Sequence, residues 1–237
     1  MGRIGTIINR KGKQDAKKAK IFTKHARNIT VAAREGGGDP EYNAGLATAI
    51  DKAKADNMPN DNIEKAIKKG TGEADGTEYT ELRYEGYGPG GSAFIVECLT
   101  DNTNRTAANV RSYFTKAGGS LGKNGEVSFM FDHKGVLVID KDDKDPESIE
   151  MDIIDAGADD FEAEEGYYEI YTELEDFASV RDALKSKGYQ FKMAELRYLP
   201  QSMTKISGED NIKAMNKLLD LFDDDDDVQN VYYNCEE

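Results

Sequence analysis

Residues 71–79, "TGEADGTEY", divide the chain into two kinds of sequence, and that division constrains the fold more than any other feature. Before it, apolar residues recur at helical spacing. After it, short apolar runs bounded by turn residues predict strands. The segment itself is polar and contains glycine, so it reads as a linker. At 237 residues the chain has room for two or three compact units on either side of it.

From Gln14 to about Glu35, the residues Ala19, Phe22, Ala26, Ile29 and Ala33 fall at 3-4-3-4 spacing, one stripe of an α-helix. "GGGD" ends it. Asp39 is expected to cap the next helix, with Pro40 at its first position, where a missing N–H costs nothing. That helix buries Tyr42, Leu46, Ile50 and Ala53 and stops before "NMPND". A third starts near Asp61, paired with Glu64 in a capping box, and ends at Gly70.

Beyond the linker, strand-like runs at 80–86, 92–99 and 126–132 surround a helix at about 105–117. Strands at 135–140, 161–164, 167–172 and 191–198 follow, with helices near 146–155 and 176–187. That order, β-α-β-β-α-β, is the split βαβ or ferredoxin-like arrangement. A short strand near 203–206, a helix at 209–222 and a strand at 228–233 combine with 92–132 into a second unit of the same type. The expected class is α+β and multidomain. A three-helix domain (1–75) precedes two ferredoxin-like domains, the third (134–200) inserted in the second (76–133 with 201–237).

An apolar content of 38% is enough for real cores. The longest apolar runs, such as Ala93–Val96 and Val136–Ile139, are far short of the roughly 20 residues that span a bilayer. No charged-then-apolar leader opens the chain. A soluble, cytoplasmic protein with no membrane partner is expected. Cys98 and Cys235 form no CxxC pair, and Cys98, inside "SAFIVECL", reads as a buried reduced thiol.

The net charge of −15 is unevenly spread. Residues 1–70 hold 15 Lys/Arg against 8 Asp/Glu, net +7, which leaves −22 for the remainder. Within 1–34 the count is 10 against 1. With Ala19 at heptad position a, Arg10, Lys17 and Lys24 fall at f, while Lys13, Lys20, Arg27 and Arg34 fall at b, opposite the apolar stripe. Ile21, at c, is the misfit. A solvated helix usually mixes both signs. Here one sign persists over about five turns, which suits a phosphate backbone, and Lys11 in "NRKGK" adds a further cation. Asn28 and Gln14 are the only amides nearby, so strong base readout is not expected.

Other signals are weaker. "YEGYGPGG" (84–91) lacks the GK[ST] ending of a phosphate loop and reads as a turn between strands, with stacking by Tyr84 or Tyr87 as the alternative. "DNTNRT" (101–106) reads as a helix cap, or as a recognition loop using Asn104 and Arg105. His25 and His133 have no ligand or triad partners nearby, so no metal, cofactor, catalytic residue or small-molecule substrate is assigned. "DDDDD" (223–227) lacks EF-hand spacing and reads as a solvated, self-repelling loop. The acidic remainder repels polyanions or meets the ribosome or basic proteins.

"RKGKQDAKKAKIFTK", "VAAREGGGDPEYN", "AIDKAKADNMPNDNIEKAIKKGTG", "YEGYGPGG" and "ECLTDNTNRT" together resemble the YebC family. It includes bacterial proteins classed as transcriptional regulators and the mitochondrial translational activator of cytochrome c oxidase. The resemblance is dense over 9–132 and general beyond. It implies three domains, the third inserted in the second, and no enzyme activity. Many relatives open on a Gly-His-Ser-Lys-Trp run, where this chain has "GRIGTIIN" and no tryptophan. Two functions follow: a DNA-binding transcriptional regulator, or a ribosome-associated translation factor gripping ribosomal RNA. An enzyme or metal protein is disfavoured by the missing ligand and nucleophile groupings.

Overall fold

A computed structural model describes residues 18–72, 78–141 and 144–236. The chain forms two compact units, one of them Ser128–Met203 and the other built from the residues on either side of it. The second unit opens with three helices, α1 (Lys18–Gly36), α2 (Ala44–Ala55) and α3 (Asn60–Thr71). Ile29 and Ala33 of α1 are buried against Leu46, Ile50 and Ala53 of α2 and Ile63 and Ala66 of α3. Ala19 is exposed, so the apolar stripe starts at Phe22 rather than Ala19.

The close approach of α1 and α3 explains Gly70. A Cβ there would lie 2.4 Å from the Thr30 carbonyl oxygen and 2.7 Å from Ala33 Cβ. Gly70→Ala should therefore destabilise by about 1–3 kcal/mol through overpacking, although alanine is the better helix former by about 1 kcal/mol. Chemical denaturation checks this; a stabilised variant would show that the helices part without cost.

Both expected caps are displaced. Asn43, not Asp39, caps α2: its side chain accepts from Leu46 N at 3.0 Å while donating to the carbonyls of Ala32 and Gly37. Asn43 can hold both ends of the turn at once, whereas Asp39 can only accept. Pro40 and Tyr42 therefore lie in the turn before α2, and Tyr42 is 86% exposed rather than buried. Pro59 precedes α3 with no side-chain cap, so the Asp61–Glu64 box does not start that helix.

The α+β part of this unit is a four-stranded antiparallel sheet, β3-β1-β2-β9, made of β1 (Thr80–Tyr87), β2 (Ala93–Thr100), β3 (Ser120–Leu121) and β9 (Val228–Tyr233). Two helices, α4 (Thr103–Lys116) and α7 (Glu209–Asp224), supply Val110, Phe114, Met215, Leu218 and Phe222 to one core with Phe94, Val96 and Cys98 of β2. This unit opens on a hairpin and then crosses by α4 to the far edge. Its layers are therefore ferredoxin-like, with the strands reordered. Of the expected strand at 126–132, only Phe131 and Asp132 are extended, as the start of a longer strand, Phe131–Asp140. Val127 N and Gly125 N instead bond to the buried Glu85 carboxylate, and Ser128–Met130 is a 3-10 turn. A short parallel pair, β8 (Thr204–Lys205) with β10 (Cys235–Glu236), completes the described residues. Cys98 is a free thiol that burial pushes up to about 12.

The inserted unit has β4 (Phe131–Asp140), α5 (Pro146–Asp155), β5 (Asp160–Glu164), β6 (Tyr167–Thr172), α6 (Phe177–Ser186) and β7 (Phe191–Pro200). Its sheet order is β5-β6-β4-β7, all antiparallel, the ferredoxin-like arrangement. Leu137, Ile139 and Ile170 pack under Ile149, Ile153, Val180 and Leu184 of the two helices. Asp145 caps α5, its side chain accepting from Ser148 N, with Pro146 at the first helical position. Among the described residues no helix is long and apolar enough to cross a membrane.

Candidate nucleic-acid interface

The cationic face of α1 does not lie open along its length. Lys20, Lys24 and Arg27 sit at i, i+4 and i+7, so they share one side of the helix. That side meets residues 223–227, at the end of α7 and in the turn before β9. Lys20 Nζ donates to Asp224 Oδ1 at 3.0 Å and to its carbonyl at 3.1 Å. Arg27 donates to Asp227 Oδ1 at 2.6 Å and to the Leu99 carbonyl at 3.0 Å, and its guanidinium lies 5.6 Å from the Tyr79 ring centroid. Asn28 Nδ2 donates to Gln229 Oε1 at 3.1 Å. Lys24 is half-buried between these contacts. Burial lowers its pKa, and the nearby carboxylates of Asp223, Asp225 and Asp226 oppose that shift.

The acidic run is therefore not the solvated loop that its composition suggests. Asp225 and Asp227 are buried. Asp227 accepts from Arg27, from Arg105 at 2.8 Å and from Thr106 Oγ1 at 2.9 Å. Burial pulls its carboxyl upward, but these bonds outweigh burial and hold it below the ordinary 3.8. Asp225 accepts from Tyr113 Oη at 2.9 Å and Asn109 Nδ2 at 3.2 Å, and also takes the Asp227 amide. Five adjacent carboxylates repel one another in isolation. Cations and hydroxyls from two helices remove that objection.

The remaining expected contacts divide. Arg34 is exposed in the last turn of α1. Arg10, Lys11, Lys13 and Lys17 lie outside the described residues. Arg105 donates to Asp227 and Asp101, whose hydrogen bonds push its pKa further up, and its side chain stays partly exposed. Asn102 is the cap of α4, accepting from Arg105 N at 3.0 Å, and Asn104 next to it is exposed. Tyr87 is half-buried and its hydroxyl donates to the Glu126 carbonyl at 3.4 Å. Both acceptors of Arg27, Asp227 and the Leu99 carbonyl, lie inside the fold. Sequence reading missed Asp225 and Asp227. The available signal was the pairing of one single-signed basic helix with one five-residue acidic run.

These features define an α+β protein with an inserted ferredoxin-like unit and a basic helical end docked on its own acidic turn. Among the described residues no group of His, Cys, Asp and Glu is arranged to hold a metal ion. The chain belongs to the TACO1/YebC family: the N-terminal domain of that family matches residues 3–73, and its second and third domains match residues 79–235. A probable transcriptional regulatory protein of Clostridioides difficile is 62% identical over 237 residues, covering 100% of this chain and 99% of that protein. One of the same description from Finegoldia magna is 58% identical, covering 96% and 95%. The crystal structure of a conserved hypothetical protein from Aquifex aeolicus superposes with a TM-score of 0.82 at 42% identity, covering 94% of this chain and 91% of that one.

Proposed function

We propose that the protein is a non-enzymatic regulator of gene expression, a DNA-binding transcriptional regulator that contacts phosphates through its basic N-terminal segment. One observation carries the reading: 10 cationic residues stand against one acidic residue in positions 1–34 of a chain whose net charge is −15. Charge concentrated in this way is the footprint of a polyanion partner. The relatives named as probable transcriptional regulatory proteins support it. The contacting groups are Arg10, Lys11, Lys13, Lys17 and Arg34, with Lys20 and Lys24 conditional on release from the acidic turn. The protein works in the cytoplasm.

A specific contact favours a second reading, a translation factor bound to ribosomal RNA. Of the two amides near the basic helix, Asn28 is spent on Gln229. Few groups then remain to read base edges, and recognition by shape and phosphates suits structured RNA. The inserted unit, with 8 Lys/Arg against 20 Asp/Glu over 128–203, would face basic proteins, including those of a ribosome.

Arg10→Glu/Lys13→Glu/Lys17→Glu is expected to weaken binding to a labelled DNA duplex or RNA hairpin on the order of 10-fold or more and to flatten its salt dependence by about 2–3 in log–log slope. Unchanged affinity at low salt would remove the basis of the reading. Crosslinking in cells followed by sequencing separates the two targets: promoter DNA supports transcription, ribosomal RNA supports translation.

A further inference from the structure

We infer that residues 223–227 compete with nucleic-acid phosphates for the Lys20–Lys24 side of α1, so that this face is closed by the chain itself and opens when a polyanion displaces Asp223 and Asp224. The inference rests on the proposed nucleic-acid binding and adds a gate to it. The contacts fall into two classes. Asp225 and Asp227 are buried and tied to Tyr113, Asn109, Arg105, Thr106 and Arg27, so they form a fixed anchor. The Lys20–Asp224 pair is different, with side chains 41% and 53% exposed. Asp223 is half-buried and Asp226 exposed beside Lys24. Exposed pairs of this kind are weak and salt-screened, and a phosphate can replace a carboxylate with little loss.

The position of Asp223 and Asp224 carries the argument further. They occupy the last turn of α7, which contains no basic residue. Carbonyl groups at a helix C-terminus disfavour negative charge. Glu209 and Asp210, in the first turn of the same helix, sit where the dipole favours them. Two aspartates at the wrong end break a local rule, and the compensation comes from lysines of another helix. Such conflicts concentrate where function requires them. Docking of α1 does not need them, because Arg27–Asp227 and Asn28–Gln229 already hold it.

The test compares Asp223→Asn/Asp224→Asn with Glu209→Gln/Asp210→Asn, which changes net charge equally at the far end of α7. Binding of a fluorescein-labelled DNA duplex and an RNA hairpin of matched length is followed by anisotropy across a salt series. The first variant should bind on the order of 10-fold tighter than the parent, with a salt slope steeper by about 2 as two more cations meet phosphates, while the second stays near the parent. Equal gains in both variants would reduce the effect to net charge and overturn the gate. Parent-like binding by both would overturn the gate and leave the proposed function standing. Absence of binding by every protein would sink both. Thermal melting checks the fold, and Asp224→Asn alone, which alters the exposed pair with Lys20, is the comparison if the double variant melts early.

Discussion

Asp227→Ala is expected to cost about 3–5 kcal/mol, because it leaves the guanidinium groups of Arg27 and Arg105 facing each other without their shared acceptor. Asp227 is 2% exposed and takes hydrogen bonds from both arginines and from Thr106. Arg27→Ala should cost less. The carboxylate then keeps Arg105 and Thr106, whereas the reverse change takes the shared acceptor from two cations, leaving Arg27 the Leu99 carbonyl and Arg105 the Asp101 carboxylate. In a scanning melt the Asp227→Ala loss corresponds to roughly 6–20 °C for a chain of this size. If Arg27→Ala proves as damaging as Asp227→Ala, the arginine is held by packing and not by the shared acceptor.

The same group gives the pH dependence. Its carboxyl is held below the ordinary 3.8, so the folded chain gives up this proton more readily than the unfolded one. The stabilisation is complete above that ordinary value and is lost as pH falls through the lower folded value. Acid below about pH 4 should therefore loosen the turn at 223–227. Subtracting the Asp227→Asn stability curve from the parent isolates this contribution, and the difference should shrink towards acid. A difference that grows there would contradict the assignment.

What could be read from the sequence follows the range of the forces involved. The helix of residues 18–36 and the six elements between Phe131 and Pro200 were expected from periodicity, because apolar spacing encodes which face is buried. Asn43 is not legible as a cap because Asp39 and Pro40 satisfy the same local pattern, and only the turn brings the Ala32 and Gly37 carbonyls to the asparagine. The run at 126–132 has strand composition, yet Glu85, some 40 residues earlier, captures the Val127 amide and that of Gly125 just before the run. Asp223–Asp227 shows the limit most clearly. Counted locally the run is self-repelling and should be solvated. The buried state of Asp227 depends on Arg27 and Arg105, 200 and 122 residues away, which no window along the chain contains.

Phe222→Ala is expected to be comparably damaging for a different reason, and it ties the core to the acidic turn. The ring is fully buried, 5.4 Å from Phe114 and 5.8 Å from Tyr113 in edge-on contacts and 6.3 Å from Phe94. Truncation removes the transfer energy and leaves a cavity, together about 3–5 kcal/mol. Tyr113 touches this ring and also donates to Asp225, so a cavity at Phe222 loosens the anchor of the turn from below. Phe222→Leu keeps most of the volume and should forfeit mainly the ring-edge contacts, worth about 0.5–1.5 kcal/mol each. Hydrogen exchange distinguishes propagation from simple destabilisation. In Phe222→Ala the amides of Asp227 and Val228 should lose protection more than those of α2, which lie in the separate helical core. Uniform loss across both would mean that the aromatic cluster stabilises the unit as a whole without specifically holding the acidic turn against α1.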